Sequence, residues 1–532
     1  MRWVILAACV VLAPPVSLRA QQQPQPASGD SVAALAKIDL LEAQLAAQQD
    51  QINQLRKLLA AQPQPLPAPA SGVDIASTPG APAPGSQATS AEAGKPAALR
   101  FRIGTVDITP IGFMDFTAVS RDANMASGIA TNFGAVPFSD TVNGHLREHQ
   151  FGAQNSRVGL RLDTKVKAAT LLGYLETDFL GIVPGNVAVS ANSDTLRLRL
   201  FWADLRKDKF EFLAGQSWSM LTPNRRGLSP LPGDLFVTQV IDPNLHVGLT
   251  WTRSPQLRFL YHPNEAIHLG VSVEASEQFA GGASGSGAIT LPKDLVSSYG
   301  PQLNTGSGNY ATPNPHQDVV GKIAFDPQVG NRSLHLEVGG VLTRFAFFNP
   351  VTSKSHDAAG GGASVNVNIE VVKNLRVAVN TFFSAGAGRY IFGLGPDVII
   401  RGDGSPSLVR STSTVDGLEY QARPNLAFYG YYGRAHFDQN VAIDPADGAP
   451  VGFGYIGSPS NHNRLIQQGT FGFSHTIARD PSYGGLQWGV QYSHLVRNPW
   501  YAAPGQADSA SLNMAFLMFR YLLPGAPPPV GR

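Results

Sequence analysis

Cysteine occurs once in the 532 residues, at Cys9, so no disulfide framework and no cysteine-based metal cluster can form. Charge is scarce too: Asp, Glu, Lys and Arg make up 15% of the chain, against ~25% in an average soluble domain. The formal net charge is only +2, which gives no global field to draw nucleic acid or another polyanion. Beyond the N-terminal segment no apolar run reaches the ~18 residues that a membrane helix needs, which excludes a multi-span helical protein. No phosphate-binding loop and no Ser/His/Asp set stands out. Catalytic residues, cofactors and a metal are therefore not expected. What is present is glycine, 55 residues, roughly a tenth of the chain against ~7% in average usage.

The first residues read as an export signal. Met1-Arg2 precede the apolar stretch Trp3 to Leu12, then Pro14-Pro15 and the small Ala20 before a run of glutamines. A positive start, a short apolar region and a small residue at the cleavage point are what secretion requires, so residues 1–20 are assigned as a signal peptide. Leu6-Ala7-Ala8-Cys9 also has the form of a lipoprotein box, but Cys9 comes too early to leave a full apolar region before it.

Residues 31–62 change to Ala, Leu, Gln, Lys and Glu. As heptads they place Ile38, Leu45, Ile52 and Leu59 at a, and Ala34, Leu41, Gln48 and Leu55 at d. Such a seam cannot bury itself alone and implies a self-associating coiled coil, of two or three strands. The alternative is a helix packed on its own domain. Against it, residues 63–98 are Pro, Ala, Gly and Ser with almost no large apolar side chain, an extended linker rather than a packing partner.

From about Val106 onward the chain alternates with period two. Val158, Leu160 and Leu162 oppose Arg157, Arg161 and Asp163. Leu196, Leu198, Leu200 and Trp202 oppose Arg197 and Arg199. Leu486, Trp488, Val490 and Tyr492 oppose Gln487, Gln491 and Ser493. Soluble sandwiches also alternate, but here long strands carry Arg, Glu and Asp opposite fully apolar faces. Connections read long, short, long, short, with tight links near Lys207, Pro263-Asn264, Lys373-Asn374 and Arg479-Asp480-Pro481. Merging 246–262 across Pro255 makes the strand count even. The expected fold is all-β and transmembrane: a 16-stranded antiparallel up-and-down outer-membrane barrel over 99–523, preceded by the coiled-coil helix and followed by a Pro-rich tail, 524–532. Closure explains the pattern, since in hydrocarbon every backbone N–H and C=O needs a partner within the protein. Phe259, Tyr261, Phe471, Phe473, Trp488, Tyr492, Phe519 and Tyr521 are candidates for its interfacial aromatic girdles.

Three blocks carry a family resemblance: Ser156-Arg157-Val158-Gly159-Leu160-Arg161, Gly173-Tyr174-Leu175-Glu176-Thr177-Asp178-Phe179, and Gly215-Gln216-Ser217-Trp218-Ser219. In this order, behind a coiled coil and a Pro/Ala linker, they resemble the DcaP-like porins. The resemblance implies a homotrimeric channel in the bacterial outer membrane, surrounded by lipid, passing small anionic solutes with dicarboxylates as the typical class. It also implies a periplasmic coiled coil. Such barrels commonly end on an aromatic residue, whereas here Leu522-Leu523 run into Pro524.

Selectivity in such a pore comes from charges lining the lumen and from any loop folded into it. The inward face includes Arg157, Arg161, Glu176, Asp178, Arg197, Arg199, Glu211, Arg258, Lys322 and Arg376, a basic, acidic, basic ladder over consecutive strands. Arginine outnumbers lysine 29 to 11, and guanidinium forks suit carboxylates bidentately. The long connection 218–245, with Arg225-Arg226 and several prolines, is expected to fold inward as the constriction. The bland alternative is that these arginines only neutralise neighbouring acids. Rival functions have thinner support. His145-Leu146-Arg147-Glu148-His149 has the H-x-x-E-H spacing of a zinc protease, but lies in a loop with no third ligand. Arg401-Gly402-Asp403 reads as a turn. A barrel hydrolase with a rim Ser/His pair, or a structural tether acting through the coiled coil, are the other classes.

Overall fold

A computed structural model describes residues 100–181, 195–236, 239–306, 312–330 and 332–524. The signal peptide, coiled coil and linker, and the tail beyond Pro524, lie outside the described residues. Nearly all the regular secondary structure of the described residues is β-strand. Sixteen strands build the wall. They are β1 Val106–Arg121; β2, interrupted, Glu148–Gly152 and Arg157–Val166; β3 Ala169–Asp178; β4 Arg197–Lys207; and β5 Phe210–Trp218. Then come β6 Arg253–Asn264, β7 Ile267–Glu274, β8 Asp318–Phe325, β9 Arg332–Asn349, β10 Lys354–Val372 and β11 Leu375–Ala385. The last are β12 Arg410–Arg423, β13 Leu426–Phe437, β14 Asn463–Asp480, β15 Gly484–Pro499 and β16 Ala510–Leu522. Each pairs antiparallel with its sequence neighbours, and β1 pairs β16 from Phe113↔Leu522 to Arg121↔Met514. That last ladder closes the barrel and leaves no edge.

Side-chain exposure follows the pleat. Outward positions carry apolar residues open to their surroundings, such as Val338 at 59%, Leu342 at 67% and Phe471 at 63% exposure. Their neighbours pointing inward are polar and buried: Glu337, Thr343, Thr470, Asn368 and Gln491. A soluble barrel would reverse this, with its apolar face inside. Among the girdle candidates, Phe259, Phe471, Tyr492 and Phe519 are exposed on the outer surface.

Tight turns sit at one end. Several need a left-handed residue, supplied by Lys167, Asp208 and Asn374 at φ of 55°, 54° and 67°; Asn and Asp accept this conformation more readily than most. Long connections gather at the other end, where Phe133, Tyr299, Tyr390, Phe347, Phe437 and Phe453 pack into one buried cluster. The loop end is a built structure.

Three expectations need correction. The strand read at 246–262 begins only at Arg253. Residues 246–252 alternate because they pack between the lumen wall and the other loops, where Val247, Leu249 and Trp251 are buried. The long–short alternation fails between β9 and β10, which pair right up to Asn349↔Lys354 and leave a four-residue link. The phase of β4 also changes midway. Glu176 pairs Leu200 while Thr177 pairs Leu198, so Arg199 is an extra residue in a β-bulge. Leu198 therefore faces out, but Leu200 and Trp202 are buried inside and Phe201 is exposed outside.

Candidate functional site

The connection 219–252 leaves β5 and turns into the bore instead of away from it. Hydrogen bonding tracks its course around the wall. The Asn224 N–H donates to Glu337 on β9 at 3.1 Å, and Lys322 on β8 donates to the Thr222 carbonyl at 2.8 Å. Farther on, the Ile241 N–H donates to Gln491 on β15 at 2.7 Å and the Val247 N–H to Gln468 on β14 at 3.0 Å. The expected inward fold is observed, over 219–252 and not 218–245. Two glycines permit its close seating. A β-carbon at Gly433 on β13 would overlap the Val247 carbonyl, and one at Gly248, whose φ is 86°, would overlap the Thr414 carbonyl on β12.

Arg225 is one buried anchor. Its guanidinium donates to both carboxylate oxygens of Glu419 on β12, with Nη1 to Oε2 at 2.6 Å. It also donates to the carbonyls of Leu235 at 2.9 Å and Phe236 at 2.6 Å, and the Tyr431 hydroxyl donates to the same Glu419. With its donors spent, Arg225 is a fastener. Arg258 is another, donating to the Trp218 carbonyl at 2.8 Å and the Leu228 carbonyl at 3.4 Å. Arg226, next to Arg225 in the chain, is exposed. Arg161 lies apart near the turn end, paired with Asp163 at 2.9 Å.

The remaining ladder residues do come together. Asp178 on β3 accepts from Arg197 at 2.8 Å and from Arg199 at 2.7 Å, and Glu176 accepts from Arg199 at 2.7 Å. Arg157 on β2 lies 3.7 Å from Glu176 and over the Phe113 ring, its centre 5.1 Å away. The bulge in β4 puts Arg199 within reach of both acids at once. A regular strand would have spaced the basic side chains evenly and aimed each at a separate neighbour.

Three members of this wall were not singled out from the sequence. Arg520 on β16 pairs Asp115 on β1 at 2.8 Å, next to Arg157 across the barrel seam. Its inward aim was available from the alternation, because Phe519 is exposed outside. Arg253 stands over the rings of Trp218 at 5.5 Å and Trp251 at 5.8 Å, with no ion pair among the described residues; Arg199 also stands over the Trp218 ring, at 5.7 Å. Arg253 meets Trp218 across the β5–β6 pairing and Trp251 two residues before it in the chain. Along this wall the guanidinium groups of Arg157, Arg197, Arg199, Arg253 and Arg520 outnumber the carboxylates of Asp115, Glu176 and Asp178.

Between wall and loop lies a cavity of about 180 Å³, roughly a dozen times what one water needs. Arg157, Arg199, Arg520 and Glu176 line one side of it; Leu235, Val240 and Ile241 of the loop line the other. The loop also contributes Gln239 and Asp242, and the wall Phe113, Tyr174 and Met518.

The protease-like spacing dissolves. His145 ends a four-residue helix, whereas Glu148 and His149 are in β2, and Glu148 is held by Arg121 at 2.6 Å. Among the described residues no group of His, Cys, Asp and Glu is arranged to hold a metal. Arg401-Gly402-Asp403 forms the expected turn, with the Gly404 N–H donating to the Arg401 carbonyl at 2.9 Å.

No family model and no curated protein matches the sequence. Solved structures do match in shape. The outer membrane channel DcaP of Acinetobacter baumannii superposes with a TM-score of 0.57 at 19% identity, covering 80% of this chain and 99% of that one. An anion-selective porin from Comamonas acidovorans gives 0.42 at 11% identity, covering 78% and 99%. OmpT of the Vibrio cholerae outer membrane gives 0.40 at 11% identity, covering 80% and 100%. Closed wall, apolar outer face, inward loop and this superposition agree: the chain has the fold of a DcaP-like outer-membrane porin.

Proposed function

We propose that the protein is a passive diffusion channel of the bacterial outer membrane for small hydrophilic solutes, preferring anions of dicarboxylate type. The observation that carries this reading is the arginine-rich wall facing the inward loop. There, guanidinium donors outnumber the acids that hold them in place. Acids fix the geometry of Arg197 and Arg199, while Arg157 and Arg253 keep donors to offer a passing carboxylate. Energy coupling and covalent chemistry have no part in the proposal. Assembly as a homotrimer with a periplasmic coiled coil over 31–62, after removal of residues 1–20, completes it.

The test is purified protein reconstituted in a planar bilayer across a salt gradient. Stepwise conductance, in triplets, with a reversal potential of anion-selective sign is expected. Cation selectivity would discard the arginine argument, and folded protein that never conducts would discard the channel.

A further inference from the structure

The root of the inward loop rests on a chain of histidines and carboxylates near the turn end of the barrel. His262 Nε2 on β6 is 3.2 Å from Glu211 Oε1 on β5, and its Nδ1 is 2.6 Å from His268 Nδ1 on β7. His268 Nε2 is 3.2 Å from Asp326 Oδ2, in the turn after β8. Asp326 Oδ1 is 2.8 Å from His335 Nδ1 on β9, and His335 Nε2 is 3.0 Å from Glu337. The loop hangs from the same acids: Asp326 accepts the Gly227 N–H at 2.9 Å and Glu337 accepts the Asn224 N–H. Gly227 also lies against the His268 ring, since a β-carbon there would be 3.8 Å from Nε2.

Counting protons limits the states this chain can adopt. Two ring nitrogens 2.6 Å apart need one proton between them. Each Nε2 lies beside a carboxylate, slightly off the ideal hydrogen-bond line, and has no other partner. A lone pair in either place would face the negative oxygen, so each Nε2 needs a proton of its own. Two neutral imidazoles carry two protons between them, and this arrangement needs three. Charges held around the acids of this chain are Arg206, 3.5 Å from Glu211, with its partner Asp204 on β4; Arg258 on β6, which interacts with Glu211; and Lys322, 2.9 Å from Glu337.

We propose that the His262–His268 pair is a proton-operated anchor for the inward loop, holding Asn224–Gly227 to the wall while it shares an extra proton and releasing that segment when it loses it. Deprotonation leaves two lone pairs in contact, or a tautomer that turns a lone pair on Glu211 or Asp326. Each of these contacts is repulsive, and where the lone pair falls on His268 Nε2, Asp326 loses a donor and the ring beneath Gly227 is pushed away. Release therefore comes as the pH is raised and the pair gives up its extra proton.

Hydrogen exchange by mass spectrometry on the full-length protein in detergent tests this without needing conduction. Protection of peptides covering 222–228 is followed from pH 6.5 to 9 and scaled for intrinsic exchange. Above the titration point it should fall by up to about tenfold per pH unit, the limit for one coupled proton. Peptides from β12 to β15 should hold. His268→Gln and His262→Gln, two independent variants with amides that cannot titrate, should each remove the step. A wild-type profile without a step overturns the proposal, as does a step that survives in either folded variant or one that a chelator abolishes, which would mean a bound metal. Single-channel noise rising over the same pH range adds support that rests on the channel reading. Its absence beside an intact exchange step would count against that reading alone.

Discussion

Glu419→Gln separates a fastened loop from one merely resting in the bore. Arg225 crosses from the loop root to β12, and its side chain and that of Glu419 are only 6% and 11% exposed. An exposed ion pair is worth ~0–1 kcal/mol, but this one is buried, bidentate and shared with the Tyr431 hydroxyl. Removing one partner of such a pair costs about 3–5 kcal/mol, because the other charge stays buried and uncompensated. At 1.4 kcal/mol per factor of ten, detachment of the loop becomes roughly 10² to 10³·⁵ times more frequent. Single-channel recording is the assay: open-channel noise and the share of time in an enlarged conductance state should both rise. Arg225→Met, which strands buried Glu419 and takes the donor from the Leu235 and Phe236 carbonyls, should raise both as well. Unchanged conductance and noise in both variants, with the barrel folded, would refute the fastening role.

Charge reversal of Arg197 and Arg199 to Glu should move the reversal potential toward cation selectivity; an unmoved potential removes both from the pathway. Gly433→Val places a side chain where the Val247 carbonyl now lies, so it should displace the loop and enlarge the unitary conductance. Val338→Arg, mid-strand on the outer face at 59% exposure, should cost about 2–4 kcal/mol if that face meets hydrocarbon. Urea titration of folding into liposomes reads this, and no loss would argue against a lipid-facing β9. Burial lowers the pKa of His246, in the inward loop, to about 4. The loop therefore holds it neutral, and the stabilisation this reflects is present above its unfolded pKa of ~6.5 and lost as pH falls through 4, on the order of 3 kcal/mol. Thermal unfolding should weaken between pH 6.5 and 4 in the wild type and less in His246→Asn; equal weakening would assign the loss elsewhere.

The strand positions were legible because a barrel wall imposes a strict two-residue rule: one face meets lipid and the other water, so Val158, Leu160 and Leu162 declare themselves against Arg157 and Arg161. The inward aim of Glu176, Asp178, Arg197 and Arg199 follows from the same rule. Phase errors entered where the rule is locally suspended. A bulge at Arg199 shifts Leu200 and Trp202 to the inside, and a single extra residue leaves no trace in an alternating sequence. Residues 246–252 mimic a strand because they too are packed between two surfaces. What only the tertiary structure decided is which donors remain free. In sequence Arg258 reads as a ladder residue and Arg225 as part of the constriction loop, but the latter meets a carboxylate seven strands farther round the barrel and both are spent holding the loop. Arg520 gains its place beside Asp115 only because the barrel closes. Periodicity fixes the direction of a side chain relative to its own strand, a local property. Which charges meet across the bore depends on closure and on one loop's path, and those are set by contacts far apart in the chain.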